Sequence, residues 1–220
     1  MSAVFGIVIP TLNRADLLEE LMDVLIPQSD YYNEIYIIDN GKQNLKYDHP
    51  KIQILEQEQN IGVGPSWNMG MNKVFSNPMN SFSLFLNDDI VLGATQLATI
   101  EEILKFNRDK WLLYGPYYWS VFGLSRDCWL NLQYQPGKVF DESFYPAYFE
   151  DNDFHYRLKL KDASKDMANI PDFTPEVCRN SMTKEKDSSV TVNFEKNKQY
   201  YVAKWGGEPA REKYKKPFNK

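Results

Sequence analysis

The sequence predicts an α/β fold in one domain, a mostly parallel sheet with helices on both faces, and three observations lead there. Short apolar runs alternate with segments of helical periodicity through the first half of the chain. The chain has 220 residues, 43% hydrophobic and 15% aromatic, enough to bury the core of one sizeable domain. Unusual polar residues fall at the ends of the apolar runs, and open sheets of this kind bind ligands beyond the carboxyl ends of their strands.

Taken in order, Phe5 to Ile9 is an apolar run closed by Pro10 and reads as the first strand. Between Asp16 and Leu25, the residues Leu17, Leu18, Leu21, Met22 and Leu25 recur at helical spacing. Ile35 to Ile38 is a second strand, ended by Asp39-Asn40-Gly41, and Ile52 to Leu55 a short third. A helix over Ser66 to Phe75 follows Pro65, and Phe82 to Leu86 is the fourth strand. Ala94 to Phe106 reads as helix, Leu112 to Pro116 and Trp119 to Leu124 as strands, and Arg126 to Leu132 as a short helix. Tyr134 to Tyr148, rich in aromatics, Pro and Gly, predicts a loop. Helices are expected over Glu150 to Lys161 and Asn193 to Trp205, the second stopped by Gly206-Gly207. Residues 161–189 between them are polar and show no clear period, and no repeat or linker divides the chain.

Composition excludes several classes. A net charge of -5 argues against general nucleic-acid binding. Cys128 and Cys178 are too few for a disulfide framework and suit a reducing compartment. Ser2 to Pro10 shows no charged leader with a cleavage site, and no apolar run is long enough to span a bilayer, so a soluble, cytoplasmic protein is expected.

Two acidic segments carry the chemistry. Phe85 to Ile90 ends an apolar run in Asn87, Asp88 and Asp89. On an extended chain Asn87 and Asp89 would face one way and Asp88 the other. Mg²⁺ and Mn²⁺ bind through one or two carboxylates plus the phosphates of a substrate, so these residues suit a nucleotide-diphosphate site. Asn and Asp are also common turn formers, which leaves a polar turn after a buried strand as the plain alternative. Glu150-Asp151-Asn152-Asp153 opens a helix, where carboxylates complement the positive end of the dipole and Asp153 can pair with Arg157 at i+4. The same place suits a general base that deprotonates an attacking hydroxyl, provided that Asp151 faces the pocket.

Five motifs stand in order: Val8-Ile9-Pro10-Thr11 with Asn13-Arg14; Ile38-Asp39-Asn40-Gly41; Asn60-Ile61-Gly62 with Asn68 and Gly70; Leu86-Asn87-Asp88-Asp89; and Phe149-Glu150-Asp151-Asn152-Asp153 with Arg157. In this the chain resembles the family-2 glycosyltransferases of GT-A fold, especially the branch that includes rhamnosyltransferase-like enzymes, over roughly its first three-quarters. The resemblance implies inverting transfer of a sugar from a UDP- or dTDP-linked donor to a hydroxyl of a glycan or glycoconjugate acceptor, without a covalent intermediate. It puts Pro10, Thr11, Asn13 and Arg14 beside the base, ribose or diphosphate, with Asn60, Asn68, Asn87 and Asp88 also on the nucleotide side. Asp39 then accepts a hydrogen bond from a uracil or thymine ring N–H, and Asp89 is the carboxylate that holds Mn²⁺ or Mg²⁺. Asp151 matches the base of the family, with Glu150 beside it as an alternative or an acceptor-binding group. The single domain 1–220 would divide into a nucleotide-binding half over about 1–90, an acceptor-binding half over about 91–190 and a tail over about 191–220.

Two departures from the family pattern bear on the metal. Asn87 replaces the first Asp of the Asp-x-Asp motif and brings no charge, so tight metal binding would need the phosphates of the donor. Many members add a late His ligand, whereas the chain has only His49 and His155, and His155 reads as a packing or capping residue.

The end of the chain has two readings, a docked helix with a Gly stop or a closing flap that brings Lys204 and Trp205 to the diphosphate or sugar. Trp119, Tyr145 and Tyr148 are candidates to stack on an acceptor sugar. The rival functions are a non-catalytic carbohydrate- or nucleotide-binding domain and a sugar-nucleotide pyrophosphorylase. The second would want a Gly-rich basic loop after the first strand, where this chain has Pro10-Thr11-Leu12-Asn13-Arg14.

Overall fold

The computed structural model describes residues 3–179 and 188–220. Four parallel strands form one side of the sheet: β1 (Phe5–Thr11), β2 (Ile35–Asp39), β3 (Ile52–Glu56) and β4 (Phe82–Leu86). Three more extend it, namely β6 (Leu112–Tyr114), β7 (Val121–Ser125) and β8 (Asp166–Met167), giving the order β3-β2-β1-β4-β7-β6-β8. β7 runs antiparallel to both its neighbours, while β6 and β8 pair in parallel, so the sheet is mixed but mostly parallel, as the alternation of elements predicts.

Side-chain alternation along the central strands splits the core in two. Ile7, Ile9, Ile35, Ile37, Leu84 and Leu86 face α1 (Ala15–Leu25) and α3 (Gln96–Phe106), which bury Leu18, Leu21, Met22, Leu97, Ile100 and Leu104 against them. Val8, Tyr36, Ile38 and Phe85 point the other way, into the apolar faces of α2 (Val63–Ser76) and α5 (Glu150–Asp162). Gly70 lets α2 lie this close, since a Cβ there would sit 2.3 Å from Val8 Cγ1.

The expected elements recur with shifted ends. α2 starts at Val63 rather than after Pro65, because a proline is tolerated in a first turn whose N–H groups have no helical acceptor. Trp119 lies outside β7: Ser120 N donates to Tyr117 O at 3.2 Å, closing a turn over Tyr118–Ser120 before the strand begins. α4 (Arg126–Asn131) and α6 (Phe194–Trp205) fall where expected, and α6 ends on Gly206 in the left-handed conformation at φ 75°. Periodicity did not reveal the small antiparallel pair of β5 (Ile90–Val91) with β9 (Val177–Cys178). Of the polar stretch 161–189, residues 180–187 lie outside the described residues. No helix among the described residues is long and apolar enough to cross a membrane.

Candidate active site

A cleft of about 310 Å³ opens at the carboxyl ends of β1 and β4. Pro10 and Thr11 reach it from the end of β1, Asn87, Asp88 and Asp89 from the end of β4, and Glu150 and Asp151 from the start of α5. Asn60, Trp119 and Tyr148 complete the expected residues that line it. Among the described residues, no Lys, Arg or His lines this cleft.

The chain after β4 turns at Asp88 and Asp89 instead of staying extended, so all three polar residues face the cleft and the expected division into two faces does not arise. Asn87 N donates to Ser120 O at 3.0 Å, and Arg179 N donates to Asp89 O at 3.1 Å, which fixes both ends of the turn. Asp88 is buried, and its Oδ2 has no hydrogen-bond partner. Burial pushes the Asp88 carboxyl up to about 7, opposed by a hydrogen bond from Thr11 and reinforced by Asp89.

Glu150 and Asp151 enter on a strained backbone, with Tyr148 and Phe149 both at φ 76° immediately before α5. Glu150 is 4% exposed, and its Oε2 has no partner. Burial, with Asp151 alongside, holds Glu150 well above the usual carboxylate range. Asp151 is half-buried and is also raised, by burial first, although Asn152 N donates to its Oδ1 at 2.7 Å and His155 pulls the other way. Asp151 faces the cleft, the condition on which its reading as a base depends.

Other expected residues are placed elsewhere. Arg14 is 2% exposed and forks onto Asp16, with Nε 3.0 Å from Oδ1 and Nη2 3.1 Å from Oδ2. Asn13 is exposed at φ 55°, its side chain against Gly41. Asp39 is fully buried and accepts from Gly41 N, Gln43 N and Gln43 Nε2 at 2.9, 2.7 and 3.0 Å, so its carboxylate holds its own loop and does not line the cleft. Asn68 ties α2 to the following loop, donating to Phe140 O at 2.8 Å and accepting from Val139 N and Phe140 N, and is likewise turned away. Tyr145 donates to Asn60 O at 3.0 Å and borders a neighbouring depression instead.

The closing-flap expectation for Lys204 and Trp205 gives way to the docked helix. Lys204 is 4% exposed, with Nζ 2.7 Å from Asp141 Oδ2 and 2.6 Å from Asp153 Oδ1. Trp205 Nε1 donates to Asp153 Oδ1 at 2.8 Å, and its ring is 1% exposed beside Phe144, Phe149 and Tyr201. A lysine between two buried carboxylates cannot swing out without stranding them. His155 packs edge-on to Tyr114 and bonds Asp166 Oδ2 at 2.6 Å, the packing role its sequence position suggested.

Several residues that line the cleft were given no role there by the sequence, among them Asn40, Gly62, Trp67 and Tyr117. Asn40 bridges Ser66 Oγ and Ile61 N at 3.0 and 3.1 Å, and Gly62, at φ 90°, starts α2 where a Cβ would meet Pro146 O at 2.7 Å. Trp67, on the buried face of α2, and Tyr117, just before the turn that leads into β7, both line the cleft.

The donor set fits a hard divalent cation. Among the described residues no group of three or more His, Cys, Asp and Glu gathers as a closed metal site. Two adjacent carboxylates with Asn87, in a cleft whose described lining has no basic residue, match an ion that takes its remaining ligands from phosphate and water.

The family model described as "Glycosyl transferase family 2" matches residues 6–167. No curated protein matches the sequence. Among solved structures, the chain is similar to a mannosyltransferase from Pyrobaculum calidifontis in complex with GDP-Man and Mn²⁺, at 14% identity and a TM-score of 0.59, over 82% of this chain and 58% of that one. It is also similar to glucosyl-3-phosphoglycerate synthase from Mycobacterium tuberculosis in complex with Mn²⁺, UDP and phosphoglyceric acid, at 12% identity and a TM-score of 0.61, over 91% of this chain and 76% of that one. The chain thus spans little more than half of the mannosyltransferase, and at these identities the likeness is one of fold, the GT-A architecture.

Proposed function

The chain belongs to glycosyl transferase family 2, and from that premise we propose that it moves a sugar, with inversion, from a UDP- or dTDP-linked donor to a hydroxyl of a glycan or glycoconjugate acceptor. One observation carries the reading: a single cleft joins the carboxylates that end β4 to a second carboxylate pair that opens α5, with no basic side chain among its described lining. A diphosphate entering such a cleft meets carboxylates and no basic side chain among the described lining, so it binds together with a divalent cation. Asp89, with Asp88 beside it, would hold Mn²⁺ or Mg²⁺, which when bound neutralises charge on the leaving diphosphate.

The remaining steps fall to the chain itself. Asp151 takes the proton of the acceptor hydroxyl as that oxygen attacks the anomeric carbon, and the raised pKa makes it a stronger base than an ordinary carboxylate. Pro10, Thr11 and Asn60 border the nucleotide, with the half over about 1–90 taking the donor and the half over about 91–190 the acceptor. Asp39 serves by holding the 40–43 loop in shape, and Trp119, Tyr148 and the half-exposed Tyr117 offer ring faces to a sugar.

Calorimetric titration of UDP, dTDP and GDP, with and without Mn²⁺, tests the reading. Binding of UDP or dTDP that requires Mn²⁺ is expected. Equal binding without the metal removes the role given to Asp89, and no binding of any nucleotide moves the protein to a non-catalytic carbohydrate-binding role.

A further inference from the structure

Buried polar side chains in folded proteins nearly always have a partner, and those that lack one need a cause. Besides Asp88 Oδ2, already placed with the cation site, one such donor and one such acceptor line the same cleft. Trp67 is 3% exposed and its Nε1 makes no hydrogen bond, while Glu150 is 4% exposed with Oε2 equally unmatched. Every other indole N–H with a described bond reaches an oxygen: Trp129 Nε1 finds Asn72 Oδ1 at 2.8 Å, and Trp205 Nε1 finds Asp153 Oδ1 at 2.8 Å.

Packing places the two on neighbouring ground. A Cβ on Gly64, one turn before Trp67 on α2, would lie 3.6 Å from Glu150 Cβ, so Glu150 rests on the first turn of that helix. The Trp67 ring is wedged against Phe85, Phe122, Phe140 and Trp119 with centroids 4.8–6.3 Å away, which fixes the direction of its N–H. Phe85 lies two residues before Asn87, and Glu150 adjoins Asp151. The floor under Trp67 therefore runs between the carboxylates assigned to the diphosphate and the one assigned to the attacking hydroxyl. On the transferase reading, the sugar in transit passes over this floor.

We propose that Trp67 Nε1 and the Glu150 carboxyl are specificity-determining residues that read a hydroxyl of the transferred sugar, the indole donating to its oxygen and the carboxyl accepting from it. This rests on the transferase reading above. A sugar hydroxyl offers both functions on one atom, so one group satisfies both unmatched partners. A sugar lacking that hydroxyl leaves both buried groups stranded and is rejected for that reason.

The test compares Trp67→Phe, which keeps the ring and deletes the N–H, and Glu150→Leu with the unaltered protein in Mn²⁺. Each is titrated with UDP, dTDP and GDP and with UDP-glucose, dTDP-glucose and GDP-mannose. Expected for Trp67→Phe is an affinity for the best-bound sugar nucleotide reduced about three- to tenfold, with the free nucleotide unchanged. Glu150→Leu should show the same selective loss. Unchanged binding of the free nucleotide also reports that each variant is folded. Equal losses for sugar nucleotide and nucleotide, no loss for either, or no sugar form distinguished from its nucleotide by the unaltered protein overturns the assignment. Failure of every nucleotide to bind the unaltered protein overturns the transferase reading itself, a different result.

Discussion

Two sets of carboxylates gather around the first turn of α5 and meet opposite fates, Asp153 with Asp141 from the preceding loop and Glu150 with Asp151. Asp153 is fully buried, yet its oxygens receive Arg157 Nε at 2.9 Å, Lys204 Nζ at 2.6 Å and Trp205 Nε1 at 2.8 Å. Asp141, facing the same lysine at 2.7 Å, also takes the Tyr200 hydroxyl at 3.1 Å. Two anions and two cations close on one another, and although burial raises Asp141, Lys204 and the hydrogen bonds from Ser143 together outweigh it and hold that carboxyl below its ordinary range. Glu150 and Asp151, three and two residues earlier in the chain, have no cation in their described cleft and are pushed upward. The first set spends its charge on holding α6 in place, whereas the second has no counter-charge in its described cleft and is left open to a ligand. Buried carboxylates that are balanced stabilise a fold; buried carboxylates left unbalanced at a cleft mark where chemistry is done.

The largest effect that would break this contrast concerns Asp151. Asp151→Asn keeps the shape and removes the base, and turnover with the cognate donor and acceptor should fall about a hundred- to ten-thousand-fold. Mn²⁺-dependent nucleotide affinity and the melting temperature should stay close to their original values. Intact transfer in this variant would hand the role of base to Glu150.

Asp153→Asn should show the reverse pattern. It leaves Lys204 and Arg157 facing one anion fewer in a buried setting, a change that costs about 3–5 kcal/mol. Urea denaturation measures the loss, and the surviving folded fraction should still bind nucleotide. A cost under about 1 kcal/mol would make this cluster no more than a surface-like ion pair.

How much of this the sequence revealed depends on the range of the interactions. β1 to β4 and α1 were legible because their apolar residues recur with the period of the element itself. β5, β8 and β9 are two residues long and exist only through their partners, so no local pattern announces them. The acidic residues at 87–89 and 150–151 were legible as a site from their motifs, but the turn that brings Asp88 to the same face as Asp89 was not. Lys204 and Trp205 were harder still, since their partners Asp141 and Asp153 lie 63 and 52 residues back in the chain. Trp67 gave no signal at all: its spacing on α2 is that of a core residue, and only the missing hydrogen bond sets it apart.

The smallest predicted effect sharpens the contrast from the side of stability. Glu150 ionises in the unfolded chain near its ordinary pKa, but burial keeps it protonated to a higher pH in the fold. Between those two values the folded state holds a proton that the unfolded state has released, so stability falls as pH rises through the window and levels off above it. Glu150→Gln removes the titration while keeping the polarity. The variant should match the original protein near pH 4, where both carry a neutral group, and exceed it above the window, where the original has lost the stability that its bound proton supplied. Thermal melts across pH 4–8 check the sign. A variant less stable than the original at high pH would mean that a cation does sit on Glu150, and would move that residue from the ligand-ready set to the balanced one.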